Sequence, residues 1–210
     1  MLLVFDWDGT LMDSMAKITG CVQLAAQDLK LPALESGTIK TVIGLSLPLA
    51  IKTLYPMLSV ADQELFRQRY ISHFNEADYQ PCSLYPGVTT VLAELRRRDH
   101  SLAVATSKSR RGLMQVLANL GWEDYFDATR CADETCSKPD PLMLNELLAE
   151  FSLPPERALM VGDTEYDLKM AANASVASIG VSYGAHPKSR LQAHKPLACI
   201  DEFAQLLDWV

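Results

Sequence analysis

The sequence predicts an α/β protein, a parallel-sheet core that carries an inserted all-helical unit close to its N-terminus. Three observations predict it. An apolar run, Leu2-Leu3-Val4-Phe5, stops on Asp6-Trp7-Asp8-Gly9-Thr10-Leu11. From Leu84 onward, short apolar runs alternate with amphipathic stretches, and nothing between Met15 and about Cys82 has strand character. Strand, helix and strand in repetition make βαβ crossovers and parallel pairing. The first strand must join that sheet, because a lone apolar strand is not stable. The helical stretch is therefore an insertion: residues 1–14 and 83–210 form the core and 15–82 the inserted unit.

Within the insertion, Asp13-Ser14 is placed to cap a helix in which Met15, Ile18, Val22, Ala25 and Leu29 recur at spacings of three and four, ended near Lys30 by Pro32. A loop leads through Ile39 to Ile43 and Gly44 into a second helix from about Leu47 to Leu54. Ser59-Val60-Ala61-Asp62 reads as a capping box for a third, with Leu65, Phe66, Tyr70 and Phe74 on one side. In the core, strands are expected at Leu102 to Ala105, Ala158 to Val161, Val176 to Ile179 and Leu197 to Ile200, and a weaker one at Phe126 to Cys131. Helices are expected at Val88 to Arg97, Arg111 to Leu120, Leu142 to Phe151 and Glu165 to Ala172.

Composition excludes several function classes. The chain has 210 residues and a net charge of -7, which argues against a nucleic-acid partner, since that binding rests on basic patches facing phosphates. The one dense basic run, Arg96-Arg97-Arg98, ends a helix and there complements its dipole. No apolar run is long enough to cross a bilayer and no basic segment precedes the first one, so no membrane partner and a cytoplasmic location are expected. Five scattered cysteines without a C-x-x-C pair indicate free thiols in a reducing compartment. Cys131 and Cys136, with Asp133 and Glu134 between them, match no common zinc spacing.

The chemistry lies where strands end. Asp6 and Asp8 put two carboxylates at the carboxyl end of a buried strand, the edge at which open α/β sheets bind ligands. Like charges so close need a cation, and a divalent metal is the usual one. Leu102-Ala103-Val104-Ala105 ends on Thr106-Ser107, which read either as helix caps or as an anion site. Ser137-Lys138-Pro139 holds Lys138 extended ahead of a helix. Ala158-Leu159-Met160-Val161-Gly162 ends on Asp163, with Asp167 one helical turn later on the same face.

These segments, in this order, resemble the haloacid dehalogenase superfamily of phosphohydrolases: D-x-D-G-T at Asp6 to Thr10, Thr106 or Ser107, Lys138 before proline, and G-D-x-x-x-D at Gly162 to Asp167. The resemblance spans nearly the whole chain. It implies a Rossmann-like core with a helical cap, and Leu84-Tyr85-Pro86-Gly87 is similar to the point of return to the core in phosphoglycolate phosphatase-like members. It implies Asp6 as a nucleophile forming an aspartyl-phosphate, and Asp8 as the group that protonates the leaving oxygen and then activates water. It also implies Mg²⁺ between Asp6, Asp163 and the backbone carbonyl of Asp8, with Asp167 in the outer shell. Thr106, or Ser107, and Lys138 would hold the phosphoryl oxygens.

The expected activity is therefore Mg²⁺-dependent hydrolysis of a small phosphorylated metabolite. Asp8 argues against the dehalogenating and phosphonate-cleaving relatives, which need no acid there. Two alternatives share many of these parts: a phosphosugar mutase of the β-phosphoglucomutase type, and a phospho-accepting receiver that works as a switch. A receiver lacks the second Asp of D-x-D and the helical insertion. Gly44 and Leu45 resemble the cap loop that reaches the active site in relatives. Lys40, Lys52, Arg67 and Arg69 are further candidates for an anionic substrate but read more simply as solvated helix charges, and His73 as a surface residue.

Overall fold

The computed structural model describes residues 1–76 and 82–210. The chain runs through β1 (Leu2–Phe5), β2 (Met12–Asp13), α1 (Met15–Asp28), α2 (Ser36–Lys40), α3 (Leu47–Leu54), α4 (Val60–Glu76), β3 (Ser83–Leu84) and α5 (Val88–Arg97). It continues through β4 (Ser101–Thr106), α6 (Arg110–Leu120), β5 (Ala128–Cys131), α7 (Leu142–Glu150), β6 (Ala158–Gly162), α8 (Glu165–Asn173), β7 (Ala177–Val181), α9 (Lys188–Gln192) and β8 (Ala198–Ile200).

Six strands form one sheet in the order β5-β4-β1-β6-β7-β8, all neighbours parallel. Alternation along β1 explains its fully apolar sequence. Leu3 and Phe5 face a layer made by α5, α6 and the C-terminal 3-10 turn around Phe203. Leu2 and Val4 face α7 and α8 through Met143, Leu144, Leu147 and Met170. A strand covered on both sides has no polar face to offer. The sheet thus sits between two helical layers, and β1 lies at its centre.

The helical unit has a core of its own in which Val22, Ala25, Ile39, Ile51, Tyr55 and Phe66 meet. In α4 the expected stripe is narrower than the spacing suggested: Phe66 is fully buried, whereas Leu65 is exposed because it projects away from α1 and α3. Ser59 accepts from the Asp62 N–H at 3.2 Å, the expected cap of this helix. One small ladder had no sequence signal. Met12 and Asp13 pair antiparallel with Leu84 and Ser83, joining the chain where it leaves the core to where it returns. The return at Leu84 is therefore pinned beside the exit at Asp13. Among the described residues no helix is long and apolar enough to cross a membrane.

Candidate active site

The strand order decides which side chains meet. β1 lies between β4 and β6, with Phe5 level with Val104 and Val161, so Asp6, Thr106 and Asp163 emerge side by side at the carboxyl edge. Asp6 N–H donates to Val161 O at 3.0 Å, which extends the ladder one residue and fixes the carboxylate. Lys138 enters from the loop between β5 and α7 with no exposed surface, and Asp167 from the first turn of α8. The Lys138 ammonium donates to Asp6 Oδ1 and to Asp167 Oδ1, both at 2.6 Å. Thr164 satisfies the other Asp167 oxygen, its N–H donating at 3.0 Å and its hydroxyl at 2.7 Å. Asp167 is thereby a strut for Lys138 as well as part of the capping box of α8.

Charge at this edge is not balanced. Asp6, Asp163 and Asp167 each bring a carboxylate oxygen within 4.8 Å of the others. One ammonium against three carboxylates leaves two negative charges, the charge of one divalent cation. Burial, partly offset by Lys138, pushes the Asp6 carboxyl from 3.8 up to about 7, with the Asp167 and Asp8 charges adding to the rise. Burial, then the Asp6 and Asp167 charges, push Asp163 well above its ordinary range. Burial alone would lower the Lys138 ammonium, but Asp167 and Asp6 outweigh it and hold the proton more tightly than usual. Hard oxygen donors short of positive charge are the donor set that Mg²⁺ takes. The backbone makes room for the Asp163 carboxylate: Gly9 sits at φ +88, and a Cβ there would stand 2.2 Å from Asp163 Oδ2.

Asp8 is held differently. Its Oδ1 accepts from the Ser14 hydroxyl at 2.7 Å, and Lys108 Nζ donates to both oxygens, at 3.0 and 2.8 Å. Ser14 does not cap α1, contrary to expectation, because its side chain turns to Asp8 instead. Neither Thr106 nor Ser107 caps α6; Ser109 does, accepting from Gly112 N–H. The Thr106 hydroxyl oxygen accepts from Lys108 N–H at 3.2 Å, and the Ser107 hydroxyl donates to Gly44 O at 2.6 Å.

Gly44 belongs to the loop that brings the helical unit onto the core. With φ +98, it lets the loop pass so close that a Cβ would stand 2.5 Å from Thr164 Oγ1. Ser46 N–H donates to Ser137 Oγ at 2.9 Å and the Tyr166 hydroxyl to Thr41 O at 3.0 Å, completing the seam. Between unit and core lies a cavity of about 580 Å³, with Asp6, Asp8, Thr106 and Lys108 on its floor and Ile43, Leu45, Tyr70 and Phe74 on the side of the helical unit.

Other candidates stay out of the chemistry. Arg97 and Arg98 pair with Glu94, and Arg96 with Asp127. His73 pairs with Asp28 at 2.8 Å. Arg67 borders the cavity but is paired with Glu64, and Lys52 and Arg69 are exposed. Lys40 is half-buried on α2. All five cysteines are free, and Asp133 and Glu134 engage Arg110. Sequence reasoning missed Lys108 and Ser14. Lys108 did leave a signal: a cation just ahead of the α6 N-terminus opposes the helix dipole, which calls for a nearby anion.

A family model described as haloacid dehalogenase-like hydrolase matches residues 3–181. The chain belongs to that family. It is 34% identical over 211 residues to the "Probable phosphatase IndB" of Dickeya dadantii, covering 98% of this chain and 91% of the relative. It is 30% identical over 217 residues to the phosphoglycolate phosphatase of Vibrio vulnificus strain CMCP6, covering 100% and 95%. A crystal structure described as a "predicted phosphoglycolate phosphatase" from Haemophilus somnus 129PT superposes with a TM-score of 0.88 at 26% identity, covering 99% of this chain and 96% of that one. The expected fold class and the expectation of a phosphatase of this family both stand on these matches.

Proposed function

We propose that this family member is a Mg²⁺-dependent phosphomonoester hydrolase that acts on a small phosphorylated metabolite, as the names of its phosphoglycolate phosphatase relatives suggest. The observation that carries the reading is the cluster of Asp6, Asp163, Asp167 and Lys138 beneath the cavity between helical unit and core. In this reading residues 15–82 act as the cap and residues 1–14 and 83–210 as the catalytic core.

Asp6 attacks phosphorus. Its Oδ1 is anchored by Lys138 at 2.6 Å, which fixes the direction of attack and offsets the charge brought by the phosphoryl group. The Thr106 hydroxyl, whose oxygen already accepts a backbone N–H, keeps its own proton for a phosphoryl oxygen, and Lys138 offers its third N–H. Asp6, Asp163 and the Asp8 carbonyl would hold Mg²⁺, which when bound would supply charge neutralisation for the phosphoryl oxygens. Asp8, an ion-paired carboxylate in the resting site, first takes up a proton; as the ester bond breaks it gives that proton to the leaving alcohol oxygen, and the phosphoryl group stays on Asp6. Asp8 then takes a proton from water, which attacks the aspartyl-phosphate and returns Asp6 to its starting state. The cap keeps the intermediate from stray solvent while the first product is present.

The test is release of inorganic phosphate from a panel of phosphomonoesters with Mg²⁺. At least one should turn over at about 1 s⁻¹ or faster, the lower range of ordinary enzyme turnover. Negligible phosphate release beside rapid isomerisation of a sugar phosphate would replace the reading with that of a mutase.

A further inference from the structure

Lys108 is the unexplained charge on the cavity floor. Its ammonium is almost out of solvent, with the side chain 11% exposed, and it clamps both oxygens of Asp8, itself 16% exposed. On its other side the Phe74 ring of α4 lies 4.9 Å from Nζ. The neighbouring cations are engaged elsewhere: Lys138 holds Asp6 and Asp167, and Arg67 is paired with Glu64. Arg111 stands exposed at the rim. Lys108 therefore faces the chamber with an anionic partner that is itself part of the proposed machinery.

Such a pair is exchangeable. Its two charges have already lost most of their water, so a second carboxylate or phosphate entering the cavity gains the same charge-assisted hydrogen bonds without a new desolvation of the ammonium. A neutral hydroxyl or methyl cannot compete, and leaves Asp8 clamped. While both Asp8 oxygens are held by Lys108, and one also by Ser14, the carboxyl group is not free to turn toward an ester oxygen.

We propose that Lys108 is a specificity-determining residue: it moves from Asp8 to a second anionic group on the substrate, and so frees Asp8 only for phosphomonoesters that carry one. The proposal rests on the hydrolase reading and deepens it, naming the substrate class as small phosphomonoesters with a carboxylate or second phosphate near the ester. The wall of Tyr70, Phe74, Ile43 and Leu45 is itself uncharged; Lys17 Nζ lies 4.6 Å from the Phe74 ring and Arg67 and Arg111 border the cavity, but Lys108 is the cation bonded to Asp8 on the cavity floor.

The experiment compares matched pairs with Mg²⁺: 2-phosphoglycolate against ethyl phosphate, and 3-phosphoglycerate against glycerol 3-phosphate. The wild-type protein should favour the carboxylate member by roughly 10- to 100-fold in kcat/KM, the scale of one hydrogen bond to a charged group. Lys108→Met should bring that ratio to within about 3-fold, Lys108→Gln should do the same if the methionine variant folds poorly, and Lys108→Arg should restore part of it. Calorimetry on Asp6→Asn, which binds without turnover, should show the same preference in affinity, and Asp6→Asn with Lys108→Met should lose it. Phosphate release with equal preference in the wild-type protein, or an equal loss on both members of a pair in the Lys108 variants, would overturn the proposal alone. No phosphate release from any substrate would overturn the hydrolase reading and the proposal with it.

Discussion

Asp163→Asn should make the metal-free protein more stable, although it removes a residue proposed to bind the metal. Asp163 has no exposed surface, and its oxygens accept from the Thr10 hydroxyl at 3.0 Å and the Ala185 N–H at 2.7 Å. Asparagine fits the same space: its oxygen keeps the Ala185 bond, and its amide donates to the Thr10 oxygen. What it removes is a charge the site cannot balance. Carboxyl groups raised in the folded state bind protons more tightly there than in the unfolded chain. Their stabilising contribution is therefore complete below the unfolded value near 4 and is lost as pH rises through the folded one. For Asp6, a rise from 3.8 to about 7 corresponds to roughly 4 kcal/mol lost by pH 8, at 1.36 kcal/mol per unit. Asp163 bears a burial cost of its own and feels the Asp6 and Asp167 charges besides. A gain in stability at pH 8 follows for the variant, and each kcal/mol of it raises Tm by about 2–4 °C for a chain of this size. It should fade toward pH 4, where the wild-type carboxyls are protonated. Mg²⁺ should work against that gain, since at 100 times Kd it adds about 2.7 kcal/mol to a protein that binds it. Thermal and urea unfolding followed by circular dichroism, in EDTA and in Mg²⁺ from pH 4 to 8, reads all of this. A variant less stable than wild type in EDTA at pH 8, or a gain independent of pH, would refute the reasoning.

Asp6→Asn should abolish phosphate release without lowering Tm, checked by steady-state assay and calorimetry; retained turnover at unchanged Tm would place the nucleophile elsewhere. Asp8→Ala should slow both formation and hydrolysis of the aspartyl-phosphate by roughly 10² or more, measurable by acid-quench labelling. Gly44→Ala should lower kcat by about tenfold or more at a cost in stability of about 1–2 kcal/mol, because its Cβ would strike Thr164 where the helical unit meets the core; equal kcat in the variant would show that this close approach is not needed for turnover. Lys138→Met should cost about 3–5 kcal/mol in EDTA at pH 8, the usual scale for orphaning buried charge, and less at pH 5, where Asp6 and Asp163 take up protons.

Much of this molecule was legible before folding. Helices α3 (Leu47–Leu54) and α5 (Val88–Arg97) match their expected bounds, and the main strands fall within two residues of theirs. Their signals are local: an apolar period of 3.6, a doubly covered strand, a proline or glycine at an end. Asp6, Thr106, Lys138, Asp163 and Asp167 could be singled out for a similar reason, since each lies just beyond a recognisable strand, ahead of a helix or in its first turn, in an ordered set of motifs. Tertiary structure decided what no local pattern carries. Ser14 lies in a capping position yet serves Asp8, and Lys108 reaches Asp8 across 100 positions of sequence. The two-residue ladder of Met12 and Asp13 with Leu84 and Ser83 is too short for any period to show. The lift of Asp6 to about 7 depends on how completely water is excluded and on three charged neighbours, two of them supplied by other segments. Composition and spacing name the groups; their protonation and their partners depend on distance and solvent exclusion, which exist only once β1 is seated between β4 and β6.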